Sequence, residues 1–369
     1  MNQFAWAYTF MLAMILLEFA IRKYGQKQHV LWREAISNLN SGHLVMLLFR
    51  SLEIFAFSLV LSHLSLHWVE QWPKLWQWIF AFIAWDFCFY WMHRLHHKIP
   101  LLWAVHHVHH QGEEFNLTLG VRNSWYSSLS NFPFIAILAV LGVPLEIFIV
   151  VSSIHYTVQF YNHNAIVKNS GVLDRWLVTP ANHYVHHGIH PLYIDKNFGG
   201  TFLLWDKLFG SYQAKREDID NRIGLKSGIP SYNPLLFNHR PLMKLSKKYS
   251  AYLPSGKELD VSDAYIGFAG IVLFVMSIFY VDLRGSTSPL IEWSFFSSIL
   301  LATFFIGGMS DKKSWGLIGW VIFCLAFPGY CLLFLQQSSL VLSICFALLF
   351  LSALKGCVLL WQGSMQDER

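Results

Sequence analysis

Long apolar runs separated by short charged turns dominate the chain. The first runs from Phe4 to Ile21, the second from His43 to Leu66 and the third from Leu75 to Met92. Each approaches the roughly 20 residues a helix needs to cross a bilayer. A fourth run, Trp125 to Gln159, is too long for one crossing. Pro133, Gly142 and Pro144 interrupt it, which predicts two helices folded back as a hairpin. Ser211 to Asp260 is polar and proline-rich, a linker and surface segment whose Lys244, Lys247 and Lys248 suit anionic headgroups. Four more runs follow: Ala264 to Val281, Leu290 to Gly308, Trp315 to Leu335, and Ser339 to Leu354 and slightly beyond. Together they predict an all-α polytopic membrane bundle of nine spans.

Charge placement orients the spans. Arg22, Lys23, Lys27 and Arg33 follow the first run, which puts that end in the cytoplasm and the N-terminus outside. No small-residue cleavage site follows, so the run reads as a retained anchor rather than a signal peptide. Trp68, Trp72, Trp76 and Trp78 mark the outer interface. Lys98, Lys168, Arg175, Lys196, Lys207, Lys215 and Arg216 then lie on the cytoplasmic side, and so does the Asp311-Lys312-Lys313 turn. Arg50 and Glu53, at i and i+3, are expected to pair within the second span.

Composition agrees. Of 369 residues, 54% are hydrophobic and 13% charged, and the mean hydropathy is +0.40. That excludes an ordinary soluble domain. The net charge of +5 is modest and points to no nucleic-acid partner. Cys88, Cys324, Cys331, Cys345 and Cys357 sit in apolar runs without CxxC spacing and read as small buried hydrophobes.

The polar positions that break this pattern are histidines. Thirteen of the 18 lie between His93 and His190. They form clusters at His93-Arg94-Leu95-His96-His97, His106-His107-Val108-His109-His110 and His183-Tyr184-Val185-His186-His187. Spacings of three and four put side chains on one helix face, and neutral imidazoles sharing a face suit zinc, copper, iron or nickel. A His-rich solvated loop is the plainer reading. It fits poorly, because so many rings titrating near pH 7 repel one another unless a metal holds them neutral. The set exceeds one tetrahedral centre, which points to two metals with positions left open for catalysis.

His93-x3-His97, His106-x2-His109-His110 and His183-x2-His186-His187 resemble the histidine signature of the sterol desaturase/fatty acid hydroxylase superfamily of membrane di-iron enzymes. Asp86 to Arg94, Trp103 to Asn116, and Thr179-Pro180 through Ile194-Asp195-Lys196-Asn197-Phe198 to Trp205-Asp206-Lys207-Leu208-Phe209-Gly210 resemble its branch acting on alkylglycerol ethers. The likeness covers roughly residues 80 to 215. It implies a histidine-rich di-iron cap on the cytoplasmic face. The ligand set becomes His93, His97, His106, His109, His110, His163, His183, His186 and His187, with His163 supplied by the resemblance alone. His96, His107, His155 and His190 are expected to be neighbours or incidental. Gln159 stands where relatives often carry a further histidine, as in the alkylglycerol branch.

The implied organisation is N-terminal spans over 1–72, a catalytic domain over 73–215, a cytoplasmic linker over 216–263 and C-terminal spans over 264–369. The implied reaction uses O2 to oxidise a C–H bond of a membrane lipid: an ether lipid, a sterol or a fatty acyl chain. Two iron ions would serve it. Electrons would come from outside the chain, through tetrahydrobiopterin or a partner reductase. Asp86 is expected to fix a ligand imidazole by accepting its N–H, with Gln159 and Glu113 as further supports. Glu113, Glu114 and Asn116 are expected to orient cofactor or substrate, and Arg122 to hold a polar headgroup. The alternatives are a desaturase of the same superfamily and a histidine-lined metal transporter. The transporter fits less well, because these clusters lie beyond the span ends rather than at mid-membrane. No His-Glu-x-x-His occurs, which disfavours a zinc protease.

Overall fold

A computed structural model describes residues 1–42, 44–229, 231–245, 257–335 and 340–367. Lys247 and Lys248 of the basic segment lie outside the described residues. In chain order the helices are α1 Gln3–Ala20, α2 Trp32–Ser41, α3 Leu44–Leu64, α4 Lys74–Lys98, α5 Pro100–His106, α6 Leu117–Val121, α7 Ser127–Val140 and α8 Leu145–Tyr161. They continue with α9 Pro180–His186, α10 Leu204–Leu208, α11 Pro234–Lys244, α12 Asp263–Leu283, α13 Pro289–Ser310, α14 Ser314–Phe334 and α15 Leu340–Asp367. No β-strand occurs among the described residues.

The chain divides into two compact units. One comprises Met1–Leu44, Pro230–Arg240 and Lys248–Arg369; the other comprises Val45–Ile229 and Pro241–Lys247. In the first, Asn2, Ser262 and Ser288 cap α1, α12 and α13 by accepting a backbone N–H of the first turn. Arg33 on α2 donates to the carbonyls of Ser310 (3.1 Å) and Val261 (2.9 Å) and pairs with Asp260 and Asp263. Its guanidinium is thereby spread over several acceptors. Cys324, Cys331 and Cys345 are buried as expected, whereas Cys357 is exposed on α15.

Among the described residues, six helices are long and apolar enough to cross a membrane: α1 with its extension to Gly25, α3 from Leu47, and α12 to α15. The other three expected spans are different objects. α4 has the length, 25 residues or about 37 Å, but its last turns carry the first histidine cluster. α7 and α8 have 14 and 17 residues, about 21 and 25 Å, short of a hydrocarbon core of about 30 Å.

The second unit places the histidines. The expected hairpin break is real: Gly142 adopts φ +87 between α7 and α8, a left-handed turn that glycine makes at little cost. Its tip is tied to the α3–α4 connection, where the backbone N–H groups of Leu66 and Val69 donate to Val140 and Leu141 (2.7 and 3.0 Å). Both α4 and α8 start from this end. His93 is 19 residues into α4 and His163 is 18 residues beyond the start of α8, so both stand about 27–29 Å from the tip. The histidines therefore gather at one level, at the far end of the bundle. Phe57 on α3 stacks on Phe148 of α8 at 3.9 Å, within a buried core that includes Trp85, Leu138 and Val151. Arg50 and Glu53 pair as expected, and Arg50 also donates to Ser152 Oγ (2.6 Å).

Candidate metal centre

The three clusters do not form three sites. Their ligand atoms sort into two groups, His93, His97, His106, His110 and His186 in one and His109, His163, His183 and His187 in the other, with the atoms of each group within 4.8 Å of one another. All nine residues expected from the sequence are present, and His96, His107, His155 and His190 belong to neither group.

Local structure explains the sorting. His93 and His97 are one turn apart on α4 and enter the same group. His106 closes α5, and His109 and His110 follow in a 3-10 turn. His110, four residues on, returns to His106 (Nε2–Nε2 3.2 Å), while His109 belongs to the second group. On α9, His183 pairs with His187 across one turn (Nε2–Nε2 3.2 Å), while His186 faces His110 (3.1 Å). His163, just past α8, meets His183 at 2.9 Å and both His109 and His187 at 3.2 Å.

Hydrogen bonds set which ring nitrogen is available. His93, His109, His163 and His186 direct Nδ1 at the carbonyls of Phe198, Arg122, Gln159 and Lys196, at 2.7–2.9 Å. A carbonyl only accepts, so each Nδ1 carries the proton and each Nε2 presents a lone pair. His163 and His109 then face each other Nε2 to Nε2 at 3.2 Å with no proton to share. Two opposed lone pairs repel, and a bound cation relieves them. The donor set therefore fits a metal, and all-imidazole donors suit a transition metal.

Burial acts in the same direction. It holds the His106, His110, His183, His186 and His187 rings well below the usual imidazole range, with the neighbouring rings adding to the effect. His109 is pushed down to about 4, chiefly by burial. An unfolded imidazole takes up its proton near 6.5 while a buried one does not, so below 6.5 the unfolded chain binds more protons. The metal-free protein should therefore lose stability as pH falls from about 6.5, by up to about 1.4 kcal/mol per ring per pH unit. Thermal unfolding between pH 7.5 and 5 measures this. The midpoint should fall with pH in metal-free protein and, from a higher starting value, at least as steeply once metal is loaded, because a bound metal also requires the rings deprotonated.

Several residues lie elsewhere than expected. Asp86 contacts no ligand imidazole. Its oxygens accept from the backbone N–H groups of Thr201 (2.7 Å) and Phe202 (3.2 Å) and from the indole of Trp205 (2.9 Å). The imidazole beside it is that of His155, at 3.6 Å, which belongs to neither group. The reason is direction: the 199–205 segment, not His93, closes over that side of α4. Arg122, expected at a polar headgroup, is fully buried. It donates to Val108 O (2.7 Å) and Gln111 Oε1 (2.6 Å) while its own carbonyl accepts from His109, so it braces the second cluster from beneath. Asn116 caps α6, accepting from the Thr118 N–H at 3.0 Å. Gln159 serves His163 through its backbone carbonyl. Glu113 is exposed beside the turn at Gly224.

A cavity of about 300 Å³ opens onto the centre. His97, His110 and His186 of one group and His187 of the other line its floor, and Trp103, Ile189, Ile194 and Leu225 supply apolar walls. Asp195 and Lys226 stand in its wall as well. Spacing does not single out Asp195 as a site residue; its sequence signal is its place in the Ile194 to Phe198 stretch.

Comparison adds to the paired imidazole groups: residues 78–211 match the fatty acid hydroxylase family model. Among individual relatives, alkylglycerol monooxygenase of Danio rerio is 35% identical over 195 residues, 52% of this chain and 43% of its own length. The Homo sapiens enzyme of that name is 33% identical over 205 residues, 55% of this chain and 45% of its own. An ornithine lipid hydroxylase of Rhizobium tropici is 27% identical over 179 residues, 46% of this chain and 51% of its own. The chain thus spans about half the length of the curated relatives it matches. No solved structure is a significant match.

Proposed function

We propose that this chain is a di-iron lipid monooxygenase, with one iron in each histidine group. The observation that carries the reading is the pairing of five and four convergent imidazoles under a largely apolar cavity. When bound, the two irons supply O2 activation and insertion of one oxygen atom into a C–H bond. The protein's own part is positional. Backbone carbonyls fix the ring tautomers, and Trp103, Ile189, Ile194 and Leu225 exclude water and accept a hydrocarbon segment. His97, His110, His186 and His187 bound the place where the reacting carbon must come.

The first substrate class is the alkylglycerol ethers named in the relatives above. Hydroxylation of the carbon beside the ether oxygen gives a hemiacetal, which breaks into an aldehyde and free glycerol. The second oxygen atom leaves as water, with two electrons and two protons from an external donor, a tetrahydropterin or a reductase. The Glu113–Glu114 stretch is the proposed contact for that donor. The charge pattern supports a site on the cytoplasmic face of the membrane.

An alkylglycerol supplied with tetrahydropterin and iron-loaded protein should release aldehyde in proportion to enzyme. No aldehyde, together with oxidation of a sterol or acyl lipid when a reductase is added, moves the assignment to a broader lipid hydroxylase. Formation of a double bond instead moves it to a desaturase.

A further inference from the structure

Resting on the two-metal reading, we propose that Asp195 is a positioning residue whose negative charge, acting through His97, makes the two metal positions unequal. The outer nitrogens of His93, His109, His163 and His186 meet neutral backbone carbonyls. Those of His183 and His187 have no hydrogen-bond partner among the described residues. His97 differs: its Nδ1 stands 3.4 Å from Asp195 Oδ1. Among the described residues, no other ring of either group lies in ion-pair range of a carboxylate. The inner His97 Nε2 is buried and unpartnered, and belongs to the five-membered group. A carboxylate on the outer N–H draws on that proton and makes the inner lone pair a stronger donor. The five-histidine position thus has a strengthened ligand that the four-histidine position lacks.

Two features separate this role from simple structure. The other Asp195 oxygen pairs with Lys98, which shares the charge and weakens the pull on His97. The turn itself is held by a different residue. Asn197 donates to Asn182 O and Gln213 O at 3.0 and 2.8 Å and accepts from the Gln213 N–H at 2.9 Å. Asp195 sits at φ +59, a left-handed conformation that asparagine tolerates as well as aspartate. Asp195→Asn therefore removes the charge and keeps the turn.

The test is anaerobic titration of metal-stripped, full-length protein with ferrous iron against a competing chelator. The parent protein should take up two ions. Asp195→Asn should weaken one of them about 10- to 100-fold and leave the other unchanged, with no change in thermal unfolding of the metal-free protein. Lys98→Met should hold that same ion as tightly as the parent or more tightly. If the Lys98–Asp195 pair were only a clip between α4 and the turn, both substitutions would weaken binding alike, and that result overturns the proposal. Parental affinity at both positions in Asp195→Asn overturns it too. Failure of the parent protein to bind two ions overturns the two-metal reading itself, and this assignment with it.

Discussion

His186→Ala and His109→Ala should each abolish turnover while leaving the protein in the membrane. The two residues sit in different groups, so each substitution opens a different metal position. A metal contributes several kcal/mol to an oxidation of this kind, so rates should fall about a thousandfold or more. Elemental analysis should show less than the two metal equivalents of the parent protein. His107→Ala is the internal control. Its ring lies one residue from His106, outside both groups, and accepts from the Gln111 side chain at 3.3 Å. It should keep its metal and most of its activity. Full activity in His186→Ala, or a parent protein fully active with stoichiometric zinc, would remove the di-iron assignment.

That contrast separates what the sequence made legible from what it hid. Three-and-four spacing identified the ligands, because helical periodicity decides which rings share a face. It did not reveal that two of the clusters split between the two groups. In each of the two, the pair four residues apart stays together, His106 with His110 and His183 with His187, and the remaining ring joins the other group, an outcome of tertiary packing rather than of local pattern. His163 carried no spacing signal and came from resemblance alone; its position follows from the length of α8. The supports were hidden for a related reason. Phe198 O, Lys196 O and Arg122 O are backbone atoms, and any residue type supplies a carbonyl. Arg122 is expected at a headgroup because it lies near the start of an apolar run, whereas tertiary structure buries it beneath the second cluster.

The short α7 and α8 have the same origin. Hydropathy reported an apolar run long enough for two crossings. The chain at its two ends, around Arg122 and His163, is drawn into the centre instead of extending the helices. An apolar count cannot register where a helix stops when a polar side chain within the same unit terminates it.

Asp86→Ala should be the most damaging substitution outside the histidines. Asp86 is fully buried, and three donors converge on it: the Thr201 and Phe202 N–H groups and the Trp205 indole. Each buried donor left unpaired costs about 1–3 kcal/mol, so the loss should be about 3–5 kcal/mol after partial relaxation. Asp86→Asn should recover little, since both carboxylate oxygens accept and an amide nitrogen would face a donor. The segment has little room to adjust. A Cβ on Gly200 would lie 2.8 Å from the Phe89 ring and 3.1 Å from Asp86 Oδ1, a separation only glycine allows. Asp206 grips the preceding residues by accepting from the Phe198 and Gly199 N–H groups, both at 2.8 Å. Phe198 O in turn accepts from His93 Nδ1 at 2.9 Å. Loosening this segment therefore frees the His93 ring, and the five-histidine position should lose metal before the four-histidine position does. Thermal unfolding and metal content of Asp86→Ala, measured together, test the chain of contacts. A variant as stable and as fully loaded as the parent would show that the 198–202 segment does not hold the centre.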